Sequence, residues 1–89
     1  MSVDELQSLS SAYERAEADF LTTLRTRADR VTLAATVRET ATAAAAFNAE
    51  AYRRLHACEG DAWMPLDQLT ERTEVLAELW VDIAVAYEV

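Results

Sequence analysis

The longest regular pattern in the sequence is an apolar stripe between Leu33 and Cys58, in which apolar residues recur every three or four positions. This spacing places them on one face of an α-helix. No glycine or proline interrupts the stretch, so the pattern predicts a central helix. The small side chains of Ala44 and Ala51 indicate that neighbouring helices approach it closely. The stripe consists of Leu33, Val37, Ala41, Ala44, Phe47, Ala51, Leu55 and Cys58.

Two further stripes of the same spacing flank the central one. Strong helix formers fill both, and the chain has one glycine and one proline, too few turn residues for a β-sandwich or barrel. We therefore predict an all-α antiparallel helical bundle of three long helices in a single domain over 1–89, with helices at about 3–27, 30–58 and 65–87. The first stripe is Leu6, Leu9, Tyr13, Ala16, Phe20 and Leu24, and the last is Leu66, Leu69, Thr73, Leu76, Trp80, Ile83 and Tyr87.

The glycine and the proline bracket the second predicted connection. Gly60 stands where a left-handed C-cap is expected, and Pro65 suits the first turn of the following helix. The first connection contains neither residue, and we predict it from a change in the angular position of the apolar stripe around the helix axis. At about 100° per residue, the stripe through Leu24 and the stripe through Leu33 differ by roughly 130°. A tight turn near residues 27–30 accounts for the difference, and one long bent helix is the alternative.

The C-terminal half of the third helix is apolar around more than half of its circumference. An ordinary surface helix has an apolar arc of about 100°. Two neighbouring helices cannot cover so wide an arc, so we expect self-association, as a homodimer or larger homo-oligomer, to complete the bundle. The residues expected at that interface are Trp80, Val81, Ala84 and Val85.

Charge is distributed unevenly along the chain, whose formal net charge is −8. Residues 1–58 contain eight acidic residues and seven arginines, whereas residues 59–89 contain eight acidic residues and Arg72 alone. Nucleic-acid backbones and anionic membranes repel such a chain. We therefore expect no nucleic-acid partner and no membrane partner, and a basic protein surface becomes the expected charged partner.

Five acidic residues of the third helix, here named the acidic ridge, follow one another at steps of three and four. They lie on the side of the helix away from Trp80. Three interpretations fit this spacing: a solvated helix face, a docking surface for a basic partner, and carboxylate ligands for a divalent metal. We assign the ridge to partner binding and expect no metal or cofactor. Its residues are Asp67, Glu71, Glu74, Glu78 and Asp82.

Arginines cluster at the first predicted turn. In an up-down-up bundle this turn lies beside the C-terminal end of the third helix, so we expect the cluster to neutralise acidic residues there. The arginines are Arg25, Arg27, Arg30 and Arg38, and the expected partners are Glu78, Asp82 and Glu88.

Three single residues leave alternatives open. Asn48 lies in the apolar sector of the second helix, where a polar side chain fixes register or oligomeric state, unless it lies at the wet rim. Trp63 is either an exposed anchor for a partner or a lid over the end of the bundle. The stretch from His56 to Gly60 loosely resembles the H-x-L-K-G stretch of histidine phosphotransfer domains, with Glu59 in the place of the lysine. That resemblance implies a phosphoryl-accepting His56, and the alternative is an ordinary exposed histidine.

No glycine-rich phosphate loop, nucleophile elbow or zinc-ligand spacing occurs in the sequence. We therefore predict a small acidic, non-enzymatic protein-interaction protein, an adaptor, inhibitor or assembly component, that acts as a homo-oligomer. The alternatives are an acidic, nucleic-acid-mimicking decoy of a basic protein surface, and a helical-bundle enzyme with a carboxylate metal site or a phosphotransfer histidine. A single cysteine, no signal-peptide pattern and no apolar run of about 20 residues lead us to expect a cytoplasmic protein.

Overall fold

Three long helices make up almost the whole of the described chain. The structure, a computed structural model, describes residues 2–58, 60 and 63–88, with side chains from residue 5 onward. Within these residues there is no strand. The predicted all-α bundle of three helices is confirmed. The helices are α1 (Ser2–Arg25), α2 (Arg30–Ala57) and α3 (Trp63–Glu88).

The connection between α1 and α2 is the tight turn that the change of phase predicted, so they are two helices and not one bent helix. Arg27 adopts a left-handed backbone conformation with φ of 56°, which lets the chain reverse without a glycine. The carboxylate of Asp29 then accepts a hydrogen bond of 2.8 Å from the backbone N–H of Thr32. This contact caps the first turn of α2.

The end of α2 differs from the prediction. Cys58 is the C-cap in extended conformation, and its N–H donates to the carbonyl oxygen of Leu55 at 3.3 Å. Gly60 has the positive φ, 79°, that favours glycine, but it lies in the following loop and not at the cap. The remaining loop residues, Glu59, Asp61 and Ala62, lie outside the described part of the chain.

The start of α3 lies two residues earlier than predicted, at Trp63. Pro65 is in the first turn, where backbone N–H groups have no acceptor within the helix, so the missing N–H of proline costs no hydrogen bond. Trp63 is therefore helical, and its side chain is 49% exposed. About half of its surface is therefore open to a partner, which favours the exposed anchor of its two interpretations.

The core lies where the three stripes meet. Val37 and Ala51 are fully buried and Ala44 is 1% exposed, which confirms α2 as the central helix. The aromatic residues Tyr13, Phe20 and Trp80 supply most of the remaining buried volume, from α1 and α3.

The bundle is flat because its outer helices do not pack closely on each other. α2 packs against both α1 and α3, whereas α1 and α3 meet only through large side chains. The ring of Phe20 lies edge-on to Trp80 at a centroid distance of 5.3 Å and to Tyr87 at 6.2 Å. The molecule measures 48 × 23 × 15 Å, and its radius of gyration is 14.5 Å, against about 12 Å for a compact domain of this length.

Candidate functional site

The acidic ridge faces solvent along α3. Four of its five carboxylates are exposed, and Asp67 is half-buried. Among the described residues no basic side chain forms an ion pair with any of the five. The ridge therefore presents a row of negative charge that the described part of the chain does not neutralise.

Exposed valines lie directly beside the ridge. Val81 is 53% and Val85 56% exposed, and Ala84 is half-buried. Val81 shares a shallow depression of about 250 Å³ with the ridge residues Glu78 and Asp82. This side of α3 thus combines apolar contact area with a single sign of charge.

Trp80 is not on that surface. It is 5% exposed, its ring packs edge-on against Phe20, and its indole N–H bonds to Tyr13. The wide apolar arc read from the sequence therefore divides into two parts. Trp80 belongs to the core of the single chain, half-buried Ala84 packs against that core, and Val81 and Val85 remain accessible to a partner.

A second apolar surface, here named the α1–α3 face, consists of exposed residues of both outer helices, and on α3 the ridge separates it from Val81 and Val85. Helical spacing turns its residues away from α2, toward the gap between the outer helices. They are Leu21 (44% exposed), Leu24 (46%), Val75 (64%) and Leu79 (49%).

Two of the four arginines near the first turn, Arg30 and Arg38, bind the end of α3 and not the ridge, whereas Arg25 donates from Nε to the carbonyl oxygen of Leu21 in its own helix at 3.4 Å. Arg30 donates from Nε and Nη2 to the carbonyl oxygens of Tyr87 and Ala86, at 3.2 and 3.1 Å. A cation suits the negative end of a helix dipole. Arg38 pairs with Glu88 at 3.4 Å, as expected. The predicted pairs with the ridge residues do not form, because the ridge turns away from α2.

A charged cluster that the sequence analysis did not find lies near the end of α2. Glu50 is 7% exposed, and its carboxylate accepts hydrogen bonds from Arg53 and, at 2.8 Å, from Nε of Arg54. The bonds from Arg53 and then those from Arg54 hold the pKa of Glu50 at about 2, below its ordinary value of 4.5. The i, i+3 and i, i+4 spacing of these residues was a visible signal.

Arg54 has a further feature that Arg53 lacks. Its Nη2 atom is buried and has no hydrogen-bond partner in the described part of the chain. The side chain also lines a cleft of about 430 Å³ between the three helices, here named the Arg54 cleft. The other residues of this cleft are Leu6, Gln7, Ser10, Phe47 and Leu69.

Asn48 acts within the chain. Its Nδ2 donates to the carbonyl oxygen of Thr70 at 3.2 Å and to the hydroxyl of Thr73 at 2.9 Å. Both threonines are buried. Asn48 thus sets the axial register of α2 on α3, which is the structural role that its position predicted.

His56 is exposed in the last turn of α2, where its ring stacks on Tyr52 at a centroid distance of 5.8 Å. Glu59, which takes the place of the lysine in the phosphotransfer resemblance, lies outside the described residues. Over the described ranges, no three side chains of His, Cys, Asp or Glu come together in a way that could hold a metal ion.

None of the helices in the described chain is long and apolar enough to cross a membrane. Comparison with known proteins finds no match among protein-family models, curated proteins or solved structures. Function is therefore inferred from the surfaces described above.

Proposed function

We propose that the protein is a small acidic, non-enzymatic protein-interaction protein that acts as a homo-oligomer in the cytoplasm. The observation that carries this proposal is the surface of α3, where exposed Val81 and Val85 lie beside ridge carboxylates that pair with no basic side chain of the described residues. Protein interfaces combine an apolar centre with a polar rim, and complementary charge speeds the encounter. A partner with a basic, partly apolar surface fits this side of α3.

Self-association is supported by the amount of surface that the chain leaves uncovered. Its accessible area is 5984 Å², whereas a compact monomer of 9.9 kDa exposes about 5,200 Å². The excess is close to the roughly 800 Å² that each partner buries in a standard interface.

The two apolar surfaces differ in their suitability for a second copy. Two chains that met through Val81 and Val85 would also bring their acidic ridges together, and like charges across an interface are costly. The α1–α3 face borders the ridge only along α3, where Leu79 lies three residues before Asp82, and its other half, Leu21 and Leu24, lies on α1 away from the ridge. We therefore place the second copy on the α1–α3 face and the basic partner on the ridge side.

Sedimentation velocity over a micromolar concentration series tests this arrangement. The double variant Leu21→Glu, Leu79→Glu should sediment as a monomer with unchanged helicity by circular dichroism. The matched variant Val81→Glu, Val85→Glu adds the same charge on the other side and should remain oligomeric. If the valine variant dissociates instead, the second copy binds beside the ridge. A wild-type chain that is monomeric throughout would refute self-association.

A decoy that mimics nucleic acid is the second candidate, and the only observation that favours it is the row of ridge carboxylates that the described part of the chain does not neutralise. The two functions differ in how the partner's affinity responds to salt. A site built for phosphates depends mainly on charge and weakens steeply with salt, whereas contact with Val81 and Val85 survives it. For a captured partner, a steep salt dependence together with no effect of Val81→Ala would identify the decoy.

A further inference from the structure

The side of α2 that points away from the core, here named the α2 outer face, is covered by neither α1 nor α3. Helical spacing places its residues opposite buried Val37 and Ala44. All of them are exposed, and positions 39, 46 and 53 follow a heptad, the repeat with which two helices pack along a seam. The α2 outer face consists of Glu39, Thr42, Ala46, Ala49 and Arg53.

Opposite charges stand at the two ends of this face. Glu39 forms no ion pair with any residue of the described chain. Arg53 bonds through Nε and Nη2 to Glu50, a carboxylate that it shares with Arg54, so its Nη1 remains for another acceptor. The contact of Arg53 with Glu5 is 4.0 Å long and exposed, and is therefore weak. The face thus offers a carboxylate at one end and guanidinium N–H groups at the other.

These charges make the α2 outer face complementary to itself. Positions 39 and 53 lie seven places on either side of Ala46. A two-fold axis through Ala46, perpendicular to α2, places Glu39 of each copy beside Arg53 of the other. A parallel pair of helices would instead set like charges against each other at both ends, which is costly across an interface. Charge complementarity therefore selects a second copy whose α2 runs antiparallel.

The surface between the charges lets two helices approach closely. Thr42 has the largest side chain there, and Ala46 and Ala49 have only a methyl group. Beside them an open groove of about 530 Å³ runs between α1 and α2, with Leu9 and Ala43 in its wall. Such small side chains bury little area, and interfaces of small area are weak and transient.

We propose that a second copy of the chain binds the α2 outer face. The two α2 helices run antiparallel about Ala46 and are held by two ion pairs between Glu39 and Arg53. The contact uses neither the α1–α3 face nor the ridge, so it does not depend on the proposed function. Only its consequence rests on that function: dimers formed through the α1–α3 face join through α2 into larger oligomers.

Disulfide trapping tests the position of the two-fold axis, because it captures a contact too brief for sedimentation. Cys58→Ser removes the native thiol, and Ala46→Cys then places a thiol on the axis, where it meets its counterpart. Mild oxidation of the full chain with diamide at micromolar concentration should yield a disulfide-linked dimer.

The matched control for trapping is Ala45→Cys, an exposed neighbour that points to another side of α2. It should cross-link about tenfold or more slowly, because its thiols meet only by collision, whereas thiols held together react at a much higher effective concentration. Equal rates for Ala46→Cys and Ala45→Cys would overturn the proposal.

A charge reversal tests the ion pairs. Glu39→Arg in the Ala46→Cys chain should slow cross-linking about threefold or more, because two exposed ion pairs are replaced by two repulsive ones. Glu71→Arg makes the same change of net charge on the ridge and should leave the rate nearly unchanged. Circular dichroism verifies that each variant folds. If the two reversals change the rate equally, the proposed pairing of Glu39 with Arg53 is wrong.

Trapping in a chain that also carries Leu21→Glu and Leu79→Glu separates this contact from the α1–α3 face. The cross-linking rate should stay similar, and it would do so even if sedimentation showed no contact through the α1–α3 face. A loss of cross-linking in this chain would overturn the proposal, since the α2 helices would then meet only as a result of the other contact.

Discussion

The indole N–H of Trp80 donates a hydrogen bond of 3.0 Å to the phenolic oxygen of Tyr13, 67 positions away in the chain. The hydroxyl of Tyr13 in turn donates to the carboxylate of Glu17 at 2.9 Å. The ordinary pKa of a tyrosine, 10.0, already keeps this hydroxyl protonated as a donor at neutral pH, and burial, more than any other cause, raises the pKa of Tyr13 further. Because α1 and α3 otherwise meet through aromatic rings, this contact fixes their relative position.

Replacing Tyr13 by phenylalanine should destabilise the fold. The change leaves the buried indole N–H of Trp80 without its acceptor, which costs about 1–3 kcal/mol. Urea unfolding followed by circular dichroism measures the loss. Tyr52→Phe removes the hydroxyl of an exposed tyrosine and should cost much less. Equal losses in the two variants would contradict the structural role of the Trp80–Tyr13 bond.

The close approach of helices at Ala44 predicts that a larger side chain does not fit. Ala44 is 1% exposed, and overpacking a core costs about 1–3 kcal/mol. For a domain of this size, each kcal/mol lowers the melting temperature by about 4–8 °C. Ala44→Leu should therefore lower the melting temperature clearly. The control Ala46→Leu makes the same change on the exposed side of α2 and should leave the melting temperature almost unchanged. A similar drop in both variants would mean that the buried face of α2 is wrongly assigned.

Acid should weaken the fold through Glu50. Its pKa in the folded chain is about 2, below the ordinary value of 4.5, so the folded state binds this proton less readily than the unfolded state does. The stabilisation is complete above pH 4.5 and is lost as the pH falls from about 4.5 toward 2.

Urea midpoints measured across that pH range check this prediction. Glu50→Gln should lower stability at neutral pH and flatten the acid-dependent slope between about pH 4.5 and 2. Glu71→Gln on the ridge, where the carboxylate has no described basic partner, serves as the control and should retain the slope. An unchanged slope in Glu50→Gln would show that other groups govern acid unfolding.

Neutralising the ridge should affect binding and leave folding intact. Acidic residues at i, i+4 on a helix repel each other by a few tenths of a kcal/mol per pair. The triple variant Glu71→Gln, Glu74→Gln, Glu78→Gln should therefore melt at the same or a slightly higher temperature. A helical peptide with lysines on one face and leucines on the other is the probe. It should associate more slowly with the variant and with a flatter salt dependence.

A variant with the same loss of charge elsewhere controls for the net charge of the chain. It carries Glu14→Gln, Asp19→Asn and Glu39→Gln, all at exposed positions of α1 and α2. This variant should bind the peptide at nearly the wild-type rate. If the two triple variants behave alike, only net charge matters and the ridge is a solvated helix face.

The three helices and most of the buried side of each were predictable from the sequence, although Leu24, at the end of the α1 stripe, is 46% exposed. Helix formation and amphipathic spacing are local properties, so Val37 in α2 and Thr73 in α3 could be assigned to the core from their positions alone. The turn before Arg30 was also predictable, because the sequence shows that the apolar stripes of α1 and α2 would lie on different sides of one continuous helix. The C-cap of α2 was not predictable. Gly60 is a suitable residue for a cap, but the helix already ends at the C-cap Cys58.

The rotation and axial offset of the helices against each other depend on tertiary packing and could not be predicted from local patterns. An apolar arc on a helix looks the same whether a neighbouring helix or a second chain covers it, so the sequence could not separate buried Trp80 from exposed Val81. The spacing of Glu50 and Arg54 was visible, but their burial depends on residues of α1 and α3 that are distant in sequence. The partner of Arg30 proved to be a helix end because axial offset, which no local pattern encodes, brings those carbonyl oxygens within reach.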